Sequence, residues 1–345
     1  MKELSNKELA MFCDQVAMIL KAGISPMEGV GIMLDDAASN EGRMILKTIA
    51  ERCEAGESFY NSVSASGVFP KYALDMIQIG EQSGKLEEVM DSLAYHYNRE
   101  EAIAEGIKNA VTYPFLIIGM MMIVIIVLVV KVLPLFDQVF AQLGSEISGF
   151  SKVLLNFGNT LTRYSVVFIA IFLILVACYF IFTKLPSGRK AFARFASKFF
   201  ATRNFYNKIA SGRFASGMAI TMSAGLDTDE SLKMVEELVD NESMKERVMK
   251  CRSFMEEGNS FSESLAQSGI FSNMYSKMIN VGYKTGSVDK VLEKISQGYD
   301  SEIESSMSNA ISIIEPTLVI ILSVIVCLIL LSVMMPLMGI MSSIG

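Results

Sequence analysis

The sequence has a single histidine, His96, and five cysteines that never fall in a C-x-x-C pair. A lone histidine without a second ligand cluster argues against a metal centre. No serine or cysteine is marked as its partner for triad hydrolysis. Cys13, Cys53, Cys178, Cys251 and Cys327 are scattered, two of them within apolar runs. They read as small apolar fillers and not as disulfides or metal ligands. No stretch alternates like a strand flanked by turns. The long apolar runs hold no Asp, Glu or Arg at mid-depth, where pumps and ion-coupled transporters place their ionisable groups. Without a convergent catalytic set, no enzyme chemistry, cofactor or metal is expected.

What is present is hydrophobicity. The chain is 51% hydrophobic with mean hydropathy +0.40, too apolar for an ordinary soluble protein and too charged for one wholly in a membrane. Residues 109–130, 164–183 and 316–345 carry no charge. Each run reaches the roughly 20 residues that cross ~30 Å of hydrocarbon as a helix. Transmembrane helices are therefore expected at 111–133, 164–183 and 316–338. The first apolar run lies beyond residue 105, so no signal peptide is expected. Lys184, Arg189, Lys190, Arg194, Lys198, Arg203, Lys208 and Arg213 follow the second run with no acid before Asp227. That excess of positive charge puts residues 184–315 in the cytoplasm. The expected order is a cytoplasmic helical domain (1–110), the first span, an external loop (134–163), the second span, a basic connector (184–213), a second cytoplasmic domain (214–315), the third span and an external C-terminus (339–345). The location is the plasma (inner) membrane, with the N-terminus inside. Residues 1–110 carry 10 basic and 18 acidic residues, and this acidity argues against a nucleic-acid partner.

The chain is also a duplication. Laying residue n on residue n+202 aligns the halves without a gap: Phe12 on Phe214, Gly56 on Gly258, Phe69 on Phe271, Tyr97 on Tyr299, Pro114 on Pro316 and Pro134 on Pro336. Each repeat is a cytoplasmic domain followed by an outgoing span, and the run at 164–183 returns the chain for the second copy. Within a repeat the apolar spacing is helical throughout. Ser5 and Glu8 fit a capping box, Ser25-Pro26 and Asp227 fit helix starts, Gly56 and Gly258 fit breaks, and Ser58 and Ser260 fit the caps that follow. About six helices per domain are expected, in an all-α membrane protein.

GEQSGKLEEVM at residues 80–90 resembles a shortened phosphate loop, but the second copy removes that reading. GYKTGSVDKVL at 282–292 has Ser287 where Lys85 stands. Both copies keep Gly, two residues, Ser or Thr, and Gly, followed by apolar residues at helical spacing: Gly80, Ser83 and Gly84, and Gly282, Thr285 and Gly286. The preceding segment is helical, where a phosphate loop needs a strand. The pattern predicts a joint between helices, with a glycine of positive φ at the stop and Ser83 or Thr285 capping free N–H groups at the restart.

Two tandem helical domains with a G-E-x-[ST]-G joint, each running into a span that opens with proline, resemble the platform proteins of type II secretion and type IV pilus assembly. The joint here is Gly80-Glu81-Gln82-Ser83-Gly84, and the span openings are Tyr113-Pro114 and Glu315-Pro316. Tyr283 replaces the motif's glutamate, so a contact made by Glu81 is expected to be altered in the second domain. The resemblance implies a non-enzymatic polytopic protein, a homo-oligomer, that couples a hexameric assembly ATPase to insertion of pilin-like (prepilin or pseudopilin) subunits. It also implies contact with other inner-membrane assembly proteins. The alternative is a small-solute transporter built from parallel repeats.

Other features have readings of their own. His96 is read as a helix-face histidine. Asp35-Asp36, Glu87-Glu88 and Glu100-Glu101 are read as solvated faces, or as contacts for a basic partner. RKAFARFASKFFATRNFYNK (189–208) is read as an amphipathic connector on membrane lipids, against an ATPase contact or nucleic acid. Pro114 and Pro316 are expected at the beginnings of their spans, and Pro134 and Pro336 near the outer ends. These are helix punctuation, or kinks that shape a groove for pilin helices. Glu315 is an interfacial charge, or a partner for a positive pilin terminus.

Overall fold

Short side chains that accept hydrogen bonds set where the helices begin. The structure, a computed structural model, describes residues 3–127, 138, 200–239 and 241–344. The Ser5 hydroxyl accepts from Glu8 N–H at 3.4 Å and the Glu8 carboxylate accepts from Ser5 N–H at 2.8 Å, closing the capping box ahead of α1 (Asn6–Lys21). Ser25 caps α2 (Pro26–Asp35), whose first position holds the proline. α3 (Asn40–Glu54) ends before Gly56, at φ 86°. Ser58 caps α4 (Phe59–Ala65), and α5 (Lys71–Ser83) and α6 (Leu86–Val127) complete the first repeat. The second repeats the series as α7 (Phe200–Ser223), α8 (Thr228–Leu238), α9 (Glu242–Glu256), α10 (Phe261–Ser268), α11 (Asn273–Thr285) and α12 (Val288–Ile344). That is six helices per repeat, and among the described residues there is no strand.

Each repeat buries its own core, and the duplication extends to ring packing. Phe12 meets Phe69 edge-on at 4.8 Å, and their counterparts Phe214 and Phe271 lie 5.6 Å apart. Tyr97 and Tyr299 are each 6% exposed. The repeats, as far as Glu105 and Ser305, form one compact unit; Gly106 onward in α6 and Ser306 onward in α12 belong to a second. Buried Cys13 and Cys251 fill the cores, and desolvation pushes both thiols up to about 12. Cys53 is buried as well.

In the second unit most apolar side chains have little protein cover, Met121 being an exception at 8% exposure. α6 and α12 are both long and apolar enough to cross a membrane, and almost none of the apolar stretch is buried within protein. Leu116 and Met120 are 65% and 67% exposed, which a core helix of a soluble bundle does not show. Pro114 and Pro316 open their apolar stretches but do not start a helix. α6 has run 28 residues before Pro114, and α12 as many before Pro316. Each proline removes one bond to the carbonyl four residues earlier, and the long ladders on either side hold the helix through the gap. Pro336 also lies within α12. The run at 164–183, Pro134, the loop at 134–163 apart from Gln138, and the connector up to residue 199 lie outside the described residues.

Candidate functional site: the junction between the repeats

α6 buries Leu86, Val89, Met90, Leu93, His96 and Tyr97 along one stripe, and Arg99 continues it at 7% exposure. A buried guanidinium has to be paired to stay charged without a large desolvation cost. Arg99 Nη1 donates to the Gly212 carbonyl at 3.1 Å and to Ser296 Oγ at 3.0 Å, and the guanidinium forms an ion pair with Asp300. One side chain of the first repeat thus holds α7 and α12 of the second. A Cβ at Gly212 would stand where the guanidinium lies, so a larger residue there would displace Arg99 from this pairing. The next residue, Glu100, takes Arg213 of α7 in a two-pronged pair, with Nε donating to Oε1 at 2.7 Å. Tyr95 donates to Asp300 Oδ2 at 3.2 Å, and Lys85 Nζ donates to the Ser223 carbonyl at 2.8 Å where α7 ends.

Burial and charge compete at these groups. Burial raises the Asp300 carboxyl above its usual value, and Arg99 only partly offsets it. Burial pushes Glu100 up as well, but the charge and hydrogen bonds of Arg213 outweigh it and leave the carboxyl below its ordinary value. His96 packs between the rings of Tyr72 and Tyr97, at 5.6 and 5.2 Å. Desolvation, opposed by Glu100 and reinforced by Arg99 and Arg213, brings the imidazole down to about 4, so it is neutral at pH 7. Two cations and two anions close on one another around it. The arrangement ties helices of the two repeats together.

The sequence assigned several of these residues elsewhere. Asp35, Asp36, Glu87 and Glu88 are exposed as read. The Glu100 side chain is only 12% exposed and belongs to the junction, because its ion pair compensates for the lost solvent. Arg99, Gly212 and Asp300 were not singled out. The available signal was a cation on an apolar stripe, three residues after His96 and four before Ile103.

The joints are built as predicted in outline, with two differences. Gly84 and Gly286 take the left-handed conformation at φ 71° and 68°. Lys85 N–H then bonds the Gly80 carbonyl at 2.8 Å, and Ser287 N–H the Gly282 carbonyl at 2.9 Å. Gly80 and Gly282 serve a different need: a Cβ would come within 3.0 Å of Val89 Cβ, or 2.8 Å of Val291 Cγ2. Here the next helix crosses closest. The expected capping by Ser83 and Thr285 is reversed. Both are the last residues of their helices, so their hydroxyls reach back and donate to the Gly80 and Gly282 carbonyls at 3.4 and 3.2 Å. Glu81 accepts from Phe59 and Tyr60 N–H at 2.7 and 2.9 Å, capping α4 from outside. Tyr283, in its place in the second repeat, is exposed, and Glu263 within α10 closes a capping box with Ser260 instead.

Glu315 and Tyr113 occupy equivalent positions of the two repeats, and they meet: Tyr113 Oη donates to Glu315 Oε1 at 3.0 Å. Nearby, Met307 packs where Gly106 leaves room, with Sδ 2.7 Å from where a Cβ would stand. α6 and α12 therefore contact at like positions in the second unit.

A family model described as type II secretion system (T2SS), protein F matches this chain twice, over residues 12–134 and 214–336. The two matches are set apart by the offset of the internal repeat. The chain is 27% identical over 340 residues to the type IV pilus assembly protein PilC of Thermus thermophilus, covering 98% of this chain and 84% of the relative. To the PilC of Pseudomonas aeruginosa it is 26% identical over 330 residues, covering 94% and 87%. To the type II secretion system protein F of Aeromonas hydrophila it is 23% identical over 335 residues, covering 97% and 86%.

Proposed function

The chain belongs to the type II secretion system protein F family, and from that premise we propose that it is the membrane platform of a secretion or pilus-like assembly machine. In this role it couples a cytoplasmic hexameric ATPase to the insertion of pilin-like subunits from the membrane into a growing filament, and catalyses nothing itself. The observation that carries the reading is the doubled family match, in register with the repeat and reaching through both described apolar helices. Relatives named for type IV pilus assembly and for type II secretion agree with it.

The platform spans the inner membrane three times, with the N-terminus and both bundles in the cytoplasm and the C-terminus outside. The junction of Arg99, Glu100, Arg213 and Asp300 supports this role, since it joins the bundles on which an ATPase would act. The acidic first bundle is the side offered to the ATPase. Near Pro114 and Pro316, where α6 and α12 each lack a backbone bond, the helices form the groove for pilin transmembrane segments. Glu315, oriented by Tyr113, receives a positive pilin terminus there. Other inner-membrane assembly proteins and further copies of the chain complete the base.

The test is a mild-detergent pull-down of the tagged protein from native membranes after in-cell cross-linking. The expected result is co-purification of a hexameric ATPase or of pilin-like subunits; a preparation with neither rejects the platform role. For the groove, Pro114→Ala or Pro316→Ala is expected to lower filament or secretion output at normal protein level. Unchanged output removes that part.

A further inference from the structure

The two repeats meet through unlike faces. The first offers its α5–α6 side; the second offers its α7–α8 side, whose Ile220 and Ala224 complete the first repeat's core, with Met234 packed against it. A duplicated chain carries each face twice, and among the described residues one copy of each is left without the contact its equivalent makes. The counterpart of α7–α8 is α1–α2, and the residues that the second repeat buries stand bare there. Met18, equivalent to Ile220, is 54% exposed where Ile220 is 5% exposed. Ile32, equivalent to Met234, is 47% exposed. The counterpart of the α5–α6 side is α11–α12, where Val281 is 62% exposed; Ile79, its equivalent, packs against the first core.

We propose that these two free faces bind each other between copies of the chain, α1–α2 of one seating on α11–α12 of the next. The contact inside the chain supplies the argument, because it shows what each face accepts. Its geometry names the meeting point. Within the chain Lys85, at the start of α6, holds the carbonyl of Ser223, the last residue of α7. The equivalents are Ser287, at the start of α12, and Lys21, the last residue of α1. Ser287 of one copy therefore faces the end of α1 in the next. Such a head-to-tail contact joins unlike surfaces and propagates into a ring, or into an open array if the rotation does not close. A two-fold pairing of α1–α2 with itself would leave Val281 and Tyr283 uncovered. The inference deepens the self-association expected of a platform by naming its surface, and it rests on both bundles lying on one side of the membrane.

The test uses full-length chains in native membranes, with Cys327→Ser to remove the thiol that is exposed among the described residues, and Cys178→Ser beside it. One tagged copy carries Lys21→Cys, a differently tagged copy carries Ser287→Cys, and a bis-maleimide links them. The expected product carries both tags, forms only from the mixed pair, and falls about tenfold when Met18→Glu is added, as for loss of ~1.4 kcal/mol of contact. Lys21 is exposed, with one ion pair to Asp91, and Ser287 is half-buried, so the melting temperature of each single-cysteine chain is measured first to show that it folds. Linking of Lys21→Cys chains to each other, linking only to a different protein, absence of mixed product, or a yield that ignores Met18→Glu each overturns the proposal. A mixed product in membranes whose pull-down lacks ATPase and pilin-like subunits keeps the interface and removes the platform role.

Discussion

At the position of Arg99 the second repeat has Ser301, and its hydroxyl donates to Gln297 within its own helix. At the position of Glu100 it has Glu302, bonded to Lys208 and Tyr275 of its own repeat at 3.0 and 3.1 Å. The same two steps of the same helix thus bond the other repeat in one copy and only their own repeat in the other. Most core positions and both helix joints recur between the copies because each bundle has to close around its own apolar face. The contact between bundles needs only one set of charges, so there the residue types part. Difference between repeats therefore marks surfaces that meet something.

The largest effect is expected at that contact. Arg99→Met leaves the largely buried Asp300 carboxylate without its cation and is expected to cost about 3–5 kcal/mol. Ser301→Met, one helix position removed from Asp300, is expected to be near neutral. Thermal unfolding of the detergent-solubilised full chain measures both. Equal effects would mean that Arg99 is no more than a surface residue. Adding Asp300→Leu to Arg99→Met is expected to recover part of the loss, because no uncompensated charge then remains.

A smaller effect follows from His96, which the second repeat lacks. Its folded pKa of about 4 lies below the ordinary 6.5. Between the two values the unfolded chain binds the proton and the folded chain does not, so stability falls as pH drops through that window. The shift corresponds to about 3 kcal/mol. Glu100, with its carboxyl depressed, acts in the same direction at lower pH: its stabilisation is present above its unfolded value and lost on acidification. Asp300, raised by burial, acts in the opposite direction. His96→Phe is expected to flatten the melting temperature between pH 7 and about 4.5; an unchanged slope would assign it to other groups.

These cases show which parts of the structure the sequence makes legible. Caps and joints are short-range, so Ser5 with Glu8, Ser25 with Pro26, and Gly80 with Gly84 announce themselves within a few residues. The repeat is legible because it holds one offset throughout. The junction is not, since Arg99 and Asp300 are joined only by tertiary packing and neither has a like residue at its equivalent position. Ser83 was misread by direction: a hydroxyl at a joint can serve either helix, and only its place on the last turn of α5 decides. Pro114 marks the start of an apolar stretch in the sequence, but its local signal does not reveal that the helix has already run 28 residues, because continuity with the cytoplasmic part of α6 depends on packing.

The last comparison is the mildest and the most specific. α4 and α10 both begin with a serine cap and need a carboxylate nearby, yet one takes it from Glu81 on α5 and the other from Glu263 in its own first turn. Asn61 stands where Glu263 has its counterpart, which explains why the first repeat reaches outside the helix. Glu81→Ala is expected to cost about 1 kcal/mol, the usual worth of a lost cap. Amide exchange should rise in the peptide covering residues 59–65, while the 261–268 peptide stays unchanged. Adding Asn61→Glu supplies the second repeat's solution to the first and should restore protection. If the double variant exchanges as fast as Glu81→Ala alone, Glu81 acts by tying α5 to α4 and not by capping. The two repeats would then differ in how their helices are held together as well as in where a charge is drawn from.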